Sequence, residues 1–338
     1  MNKNNNVIWI DCIKIFACVF VVLGHLYMSM METGLISKTS VYYCVPIQTV
    51  YTFHVQLFFV CSGFLYQKFK KNTSVKGHFR NAGNKAIALG VPFFVFSLIT
   101  IAMKTLFAGA VNSNATPILE SLFIKPISPY WYLYILFILF LIIPAVKDSR
   151  KLWIIFLTAV AVKIAYVFTP INLPYVIAQL ASCAIWFVFG MVLTIICFKY
   201  CVIEKIMCIL LGCSGVVLSI YFFREINHSR TINFCISILF VLFFVYLFIW
   251  ITKNGRLSKS YILRKYVLPV FLMHTIFAAG ARSVLTKIGI NSLGIHLVVG
   301  IIVSFLFPIL VYKIAERKWY LLIFIEPLKA WKIRKEKE

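Results

Sequence analysis

The sequence predicts an all-α fold: a polytopic integral membrane helical bundle of about ten transmembrane helices, with both termini cytoplasmic. Three observations predict it. Of the 338 residues, 62% are hydrophobic and 17% aromatic, and the mean hydropathy is +0.93. A soluble domain holds roughly 45–50% apolar residues, so one globule cannot hide this excess from solvent. Apolar runs long enough to cross a bilayer, about 20 residues each, recur from end to end. The breaks between runs alternate between rich and poor in Lys and Arg, as cytoplasmic and outward loops do.

The runs lie near 7–30, 44–66, 86–108, 129–146, 151–169, 175–198, 204–223, 231–252, 266–287 and 293–314. Each is read as a helix because hydrocarbon offers backbone polar groups no partner outside the segment itself. The fourth and fifth runs are the shortest, which suits a re-entrant or tilted path. The 67–85 break is the most basic, with Lys68, Lys70, Lys71, Lys76, Arg80 and Lys85 and no acid. The break near 147–151 holds Lys147, Arg150 and Lys151 against Asp148, and Lys199 and Lys205 flank the next. The 253–265 break holds Lys253, Arg256, Lys259, Arg264 and Lys265, and 315–338 reads as a basic cytoplasmic tail. The alternate breaks are poor in base: Glu32 and Lys38, then Glu120 and Lys125, then no charge at 169–174.

The formal charge of +24 thus has a topological origin and calls for no nucleic-acid partner. Residues 1–338 read as a single membrane domain, without internal repeat or soluble appendage. The longest outward break, about 109–128, is too short to fold alone. The first run is too long for a signal-peptide core and lacks a small-x-small cleavage site, so it should stay as the first span. The ten cysteines include no CxxC pair and fall mostly within apolar runs, so they read as buried thiols rather than disulfides or metal ligands.

Polar groups inside the spans carry the functional signal. The first span, "WIDCIKIFACVFVVLGHLYM", contains Asp11, Lys14 and His25. Eleven steps from Lys14 to His25 turn the helix three times plus about 20°, which puts both on one face about 16 Å apart. Asp11, three residues before Lys14, is close enough to pair with it. Such a stripe should face a bundle interior or a wet cavity. Taken alone, Asp11 and Lys14 fit an interfacial anchor as well as a functional site, because lysine can snorkel to the headgroups. The second span, "YTFHVQLFFVCSGFLY", puts His54 and Gln56 near mid-membrane, and the ninth puts His274 about 12 Å from the inner surface. His25 lies roughly 27 Å up its helix, near the outer side. These depths suggest a polar column: Asp11 and Lys14 low, His54 and His274 central, His25 high. His78, His228 and His296 read as solvated.

Four stretches together resemble the acyltransferase-3 family of bacterial membrane O-acyltransferases. They are the first span with its Asp-x2-basic-x10-His spacing, "FHVQLFFVCSGFLY" with Ser62, "PYWYLYILF" with Trp131, and "VFLMHTIF" with His274. "FGMVL" at Phe189 fits a further mid-chain pattern. Lys14 stands where the family usually has Arg, Gln56 where proline is common, and the Arg-x-x-Arg pattern after the second span is reduced to Arg80 and Lys85. The resemblance implies a multi-pass protein of the bacterial cytoplasmic membrane. It would transfer an acyl group, usually acetyl from acetyl-CoA, to a hydroxyl of a surface or lipid-linked carbohydrate, without a metal. It implies His25 as the essential histidine, with Lys14 and Asp11 beside it. His54, Gln56, Ser62, Trp131 and His274 are then candidates for the substrate path. Imidazole is the usual group to take an alcohol proton near neutral pH. The basic stretch with Lys76, Arg80 and Lys85 could clamp the phosphates of coenzyme A. A transporter or flippase for a lipid-linked sugar would use the same buried polar groups and stands as the alternative.

Overall fold

The computed structural model describes residues 5–37, 40–70, 73–106, 117–196, 202–226, 228–253, 257, 259 and 261–336. Lys38, Lys71, Lys199 and Arg256, used above to orient the chain, lie outside the described residues, as does much of the 109–128 break. The described chain is all-helical. Its helices are α1 (Asn5–Glu32), α2 (Val41–Lys68), α3 (Val75–Leu106), α4 (Trp131–Ile142), α5 (Ser149–Phe168), α6 (Tyr175–Val192), α7 (Val202–Tyr221), α8 (Arg230–Thr252), α9 (Tyr261–Lys287), α10 (Leu293–Glu316), α11 (Trp319–Leu322) and α12 (Pro327–Lys335), with one π turn at Glu120–Ile124. Among the described residues eight helices are long and apolar enough to cross a membrane, and α4 and α7 are shorter apolar helices.

The helices follow the apolar runs because only an internally hydrogen-bonded segment is stable in hydrocarbon. α5 and α10 leave Ile154, Leu157, Val298 and Ile314 more than half exposed, as lipid-facing surfaces do. Helix α1 is central and touches α2, α8, α9 and α10. One side of it, Phe16 and Phe20, packs into an aromatic cluster with Phe53 of α2 and Phe244 of α8. The opposite side carries the polar stripe and faces α9, where the Cys18 thiol donates to the carbonyl of Val267.

Helices α2 and α6 cross at two glycines. A Cβ on Gly63 would collide with the carbonyl oxygen of Phe187, and one on Gly190 with that of Val60. This crossing gives a packing reason for glycine in both "CSGF" and "FGMVL".

Four expectations need correction. The 67–85 stretch is not a loop: α2 continues to Lys68 and α3 begins at Val75, so Lys76, Arg80 and Lys85 lie on helix. The fourth span is short at 12 residues, but the fifth is a full 20. The tail folds back. Lys329 bridges Glu316 at 2.9 Å and Glu326 at 3.2 Å, and Ala330 is fully buried, with α12 against α3. His78 and His296 are not free in solvent. His78 bonds Tyr66 at 3.2 Å and the Leu141 carbonyl at 2.8 Å, and buried His296 bonds the Ile290 carbonyl at 2.7 Å. None of the eight described cysteines forms a disulfide.

Candidate active site: two cavities around three histidines

Helices α1 and α9 run side by side in the same direction and are joined at matching heights. Arg264 pairs with Asp11 at 3.3 Å, Cys18 bonds Val267, the His25 and His274 rings lie 5.3 Å apart, and Arg282 donates to the Ser29 carbonyl at 3.3 Å. Two parallel helices with the same rise keep their register, so a pairing near one end sets the pairing near the other.

At the lower end of this pair is a cavity of about 650 Å³. The starts of α1, α3 and α9, the end of α2 and one face of α4 line it. Lys14, Lys70, Arg80, Lys85, Arg264 and His78 stand in its walls. Lys85 lies 4.6 Å from the Phe140 ring centre, a cation–π distance. Lys70, in the turn after α2, is held below the ordinary lysine value, first by desolvation and then by Lys147. Asp11 is buried and takes Arg264, and among the described residues it makes no ion pair with Lys14. The pairing of Asp11 with Lys14 that helix spacing allows is therefore not the one formed. Arg264 offers a fork of donors from the facing helix, while Lys14 turns into the cavity.

The cavity ends on three rings. Phe58, Tyr132 and Phe271 lie with centres 5.6–6.1 Å apart. The Tyr132 hydroxyl is 3.1 Å from Ser62 Oγ and donates to the Phe58 carbonyl at 3.5 Å. On the other side of this wall Phe271 reaches His274, with ring centres 6.4 Å apart.

His25 and His274 line a second cavity, of about 640 Å³, at the opposite ends of α1, α3 and α9 and near the start of α2. Tyr51 stands between His25 and His54, with ring centres 6.2 Å and 4.9 Å away. The three histidines therefore form one cluster rather than the steps of a column. His54 Nδ1 lies 2.6 Å from the Val50 carbonyl, and His274 Nδ1 lies 3.0 Å from those of Val270 and Phe271. A carbonyl only accepts, so Nδ1 carries the hydrogen in both, and in the neutral rings Nε2 is left as a base. His274 Nε2 is buried and has no hydrogen-bond partner among the described residues.

The remaining sequence-derived candidates divide. Lys14, Ser62, Arg80 and Lys85 line the basic cavity, whereas Lys76 is exposed and outside its lining. Gln56 is two residues from His54, about 200° round the helix, and lines neither cavity. Its buried Oε1 has no hydrogen-bond partner among the described residues. Trp131 packs half-buried against the core; its neighbour Tyr132 forms the wall. Sequence reasoning missed Tyr51, Tyr132 and Arg264. Tyr51 had a signal, three residues before His54 on the same face. Arg264 was counted among the loop charges, although α9 begins at Tyr261. Among the described residues no cluster of His, Cys, Asp or Glu could hold a metal ion.

The sequence model of the acyltransferase-3 family, described as "Acyltransferase domain", matches residues 7–313. The nodulation protein NolL of Mesorhizobium japonicum is similar, at 26% identity over 174 residues, which is 50% of this chain and 43% of that protein. The matched part is thus less than half of the relative's length. No solved structure matches the chain. With the family model covering nearly the whole chain, from the first span to the last turns of α10, the protein belongs to the acyltransferase-3 family.

Proposed function

We propose that the protein moves an acyl group, acetyl first among the candidates, from cytoplasmic acyl-CoA to a hydroxyl of a cell-surface or lipid-linked carbohydrate. The observation that carries this reading is the pair of cavities on opposite ends of the same helices, with Phe58, Tyr132 and Phe271 in the wall of the first, Phe271 reaching His274 in the wall of the second, five Lys and Arg side chains below and His25 above. Coenzyme A carries three phosphates, and charge-assisted bonds from Lys and Arg are the strong ones available to hold them. The charge bias of the breaks favours a cytoplasmic side for the basic cavity, where acyl-CoA is made, and a cell-membrane location with both termini inside.

In this reading Lys14, Lys70, Arg80, Lys85 and Arg264 hold the nucleotide end of the donor. Asp11 keeps Arg264 in place. The thioester passes between Phe58, Tyr132 and Phe271 toward His25, with Ser62 fixing the Tyr132 hydroxyl. His25 takes the proton of the acceptor hydroxyl as its oxygen bonds to the acyl carbon. The C–S bond then breaks and the thiolate leaves, to be protonated as coenzyme A. His54 and His274, their Nδ1–H groups tied to carbonyls, keep an uncharged and partly apolar surround in which imidazole remains a base.

The test supplies radiolabelled acetyl-CoA to sealed inside-out vesicles carrying the host's surface glycan. Base-labile label should appear in the glycan. His25→Ala, at equal protein level, should lower the rate by about a hundredfold or more. Wild-type incorporation by a folded His25→Ala protein would overturn the assignment. Movement of glycan without label would favour a transporter.

A further inference from the structure

The transfer chemistry leaves one set of charges unused. Glu32, Lys104, Arg282 and Lys287 stand around the His25 cavity. Arg282 is occupied: it donates to the Ser29 carbonyl and feels the Glu32 carboxylate. Lys104 comes from α3 and Lys287 from the last turn of α9, so two separate helices bring an ammonium group to the same cavity. Neither makes an ion pair among the described residues. The lining thus holds three cations against one carboxylate.

This excess is not explained by topology. The charge bias that accounts for Lys and Arg at the basic ends of the helices disfavours them at this end. The rest of the cavity wall is mostly apolar, with Leu26, Met103, Ile276 and Val284 among its residues. Two ammonium groups beside such a wall create a positive potential that low-dielectric surroundings focus rather than screen. A neutral sugar would leave that potential unmatched. A volume of about 640 Å³ is ample for a glycan segment.

We infer that the acceptor is an acidic carbohydrate, whose hydroxyl reaches His25 while a carboxylate or phosphate of the same molecule lies against Lys104 and Lys287. The inference rests on the acyl-transfer reading and names the acceptor class for that site. The oxyanion is the shared chemistry; a uronic-acid carboxylate and a sugar phosphate are its two sources.

The test needs no turnover, so its failure is distinct from failure of the acyl-transfer reading. Ser283, also in the cavity lining, is changed to Cys in the full chain in nanodiscs. Its reaction with a negatively charged sulfonatoethyl thiosulfonate is compared with that of the positively charged trimethylammonium analogue. Labelling of the parent chain is subtracted. The ratio of rates, normalised to a free thiol, should favour the anion roughly tenfold at low salt, the effect expected of two unit charges on the order of 10 Å from a thiol. Lys104→Gln with Lys287→Gln should abolish most of that preference. Octyl glucuronide or octyl glucoside 6-phosphate should protect Cys at position 283 at concentrations where octyl glucoside does not. The more protective of the two identifies the anion. Equal reagent rates, a preference that survives the double substitution, or equal protection by octyl glucoside would each overturn the inference.

Discussion

Asp11 and Arg264 should respond unequally to mutation, because their environments are unequal. The Arg264 side chain is 57% exposed and that of Asp11 is 11% exposed, across a 3.3 Å pair. Arg264→Ala strands a nearly buried carboxylate, which among the described residues accepts a side-chain hydrogen bond from Arg264. Breaking a buried pair in this way costs about 3–5 kcal/mol, and the residual access of Asp11 to water puts the expected loss near ~3 kcal/mol. Asp11→Asn leaves a guanidinium that water can solvate, and the loss should be about 1 kcal/mol or less. The double variant Asp11→Asn/Arg264→Ala strands no charge, so it should be more stable than Arg264→Ala alone. The assay is equilibrium unfolding of purified protein in one fixed detergent, arranged as a double-mutant cycle. A parallel cycle replaces Lys14 by Met. Coupling of Asp11 should be larger to Arg264 than to Lys14. Equal costs for the two single substitutions, or a larger coupling to Lys14, would refute the argument and restore the pairing along α1.

Two further outcomes follow from the geometry. Gly63→Ala and Gly190→Ala each push a methyl group into a backbone carbonyl of the opposite helix, which no rotamer can relieve. Each should cost at least ~3 kcal/mol, read as loss of the monodisperse peak in fluorescence-detected size exclusion, whereas Gly83→Ala, which meets nothing within 4 Å, should behave as wild type. Phe271→Ala removes one ring of the wall between the cavities. It should raise acceptor-independent release of coenzyme A from acetyl-CoA severalfold relative to transfer, because water gains access to the thioester; an unchanged ratio would show that these rings do not separate donor from solvent.

Much of the fold was legible in the sequence, since a bilayer leaves the backbone few choices. Runs of apolar residues of the right length become helices, and the ten runs read from the sequence fall on α1 to α10. The weakest reading came where charge and helix coincide. The basic residues between Lys68 and Lys85 looked like a loop because lysine and arginine are rare in spans, yet helix α3 projects beyond its apolar part and carries Arg80 and Lys85 into the cavity. The tail was opaque for a related reason. Its mean composition is basic, and the contacts that fold it, Lys329 with Glu316 and Tyr312, come from side chains that composition counts as surface.

The sequence by itself determined that the protein is an all-helical membrane bundle, that Lys14 and His25 share one face of α1, and which family it resembles. These follow from hydropathy, from the 100° step of a helix, and from residues in order along one chain. Only the tertiary structure decided which face of which helix meets that stripe. A spacing of three residues allowed Asp11 to pair with Lys14, but the parallel alignment of α1 and α9 brought Arg264 to it instead and set His274 beside His25. Helix periodicity fixes angles within one helix and says nothing about the register between two. That register was decided by packing across the bundle, and it gathered His25, His54 and His274 into one cluster above the aromatic wall.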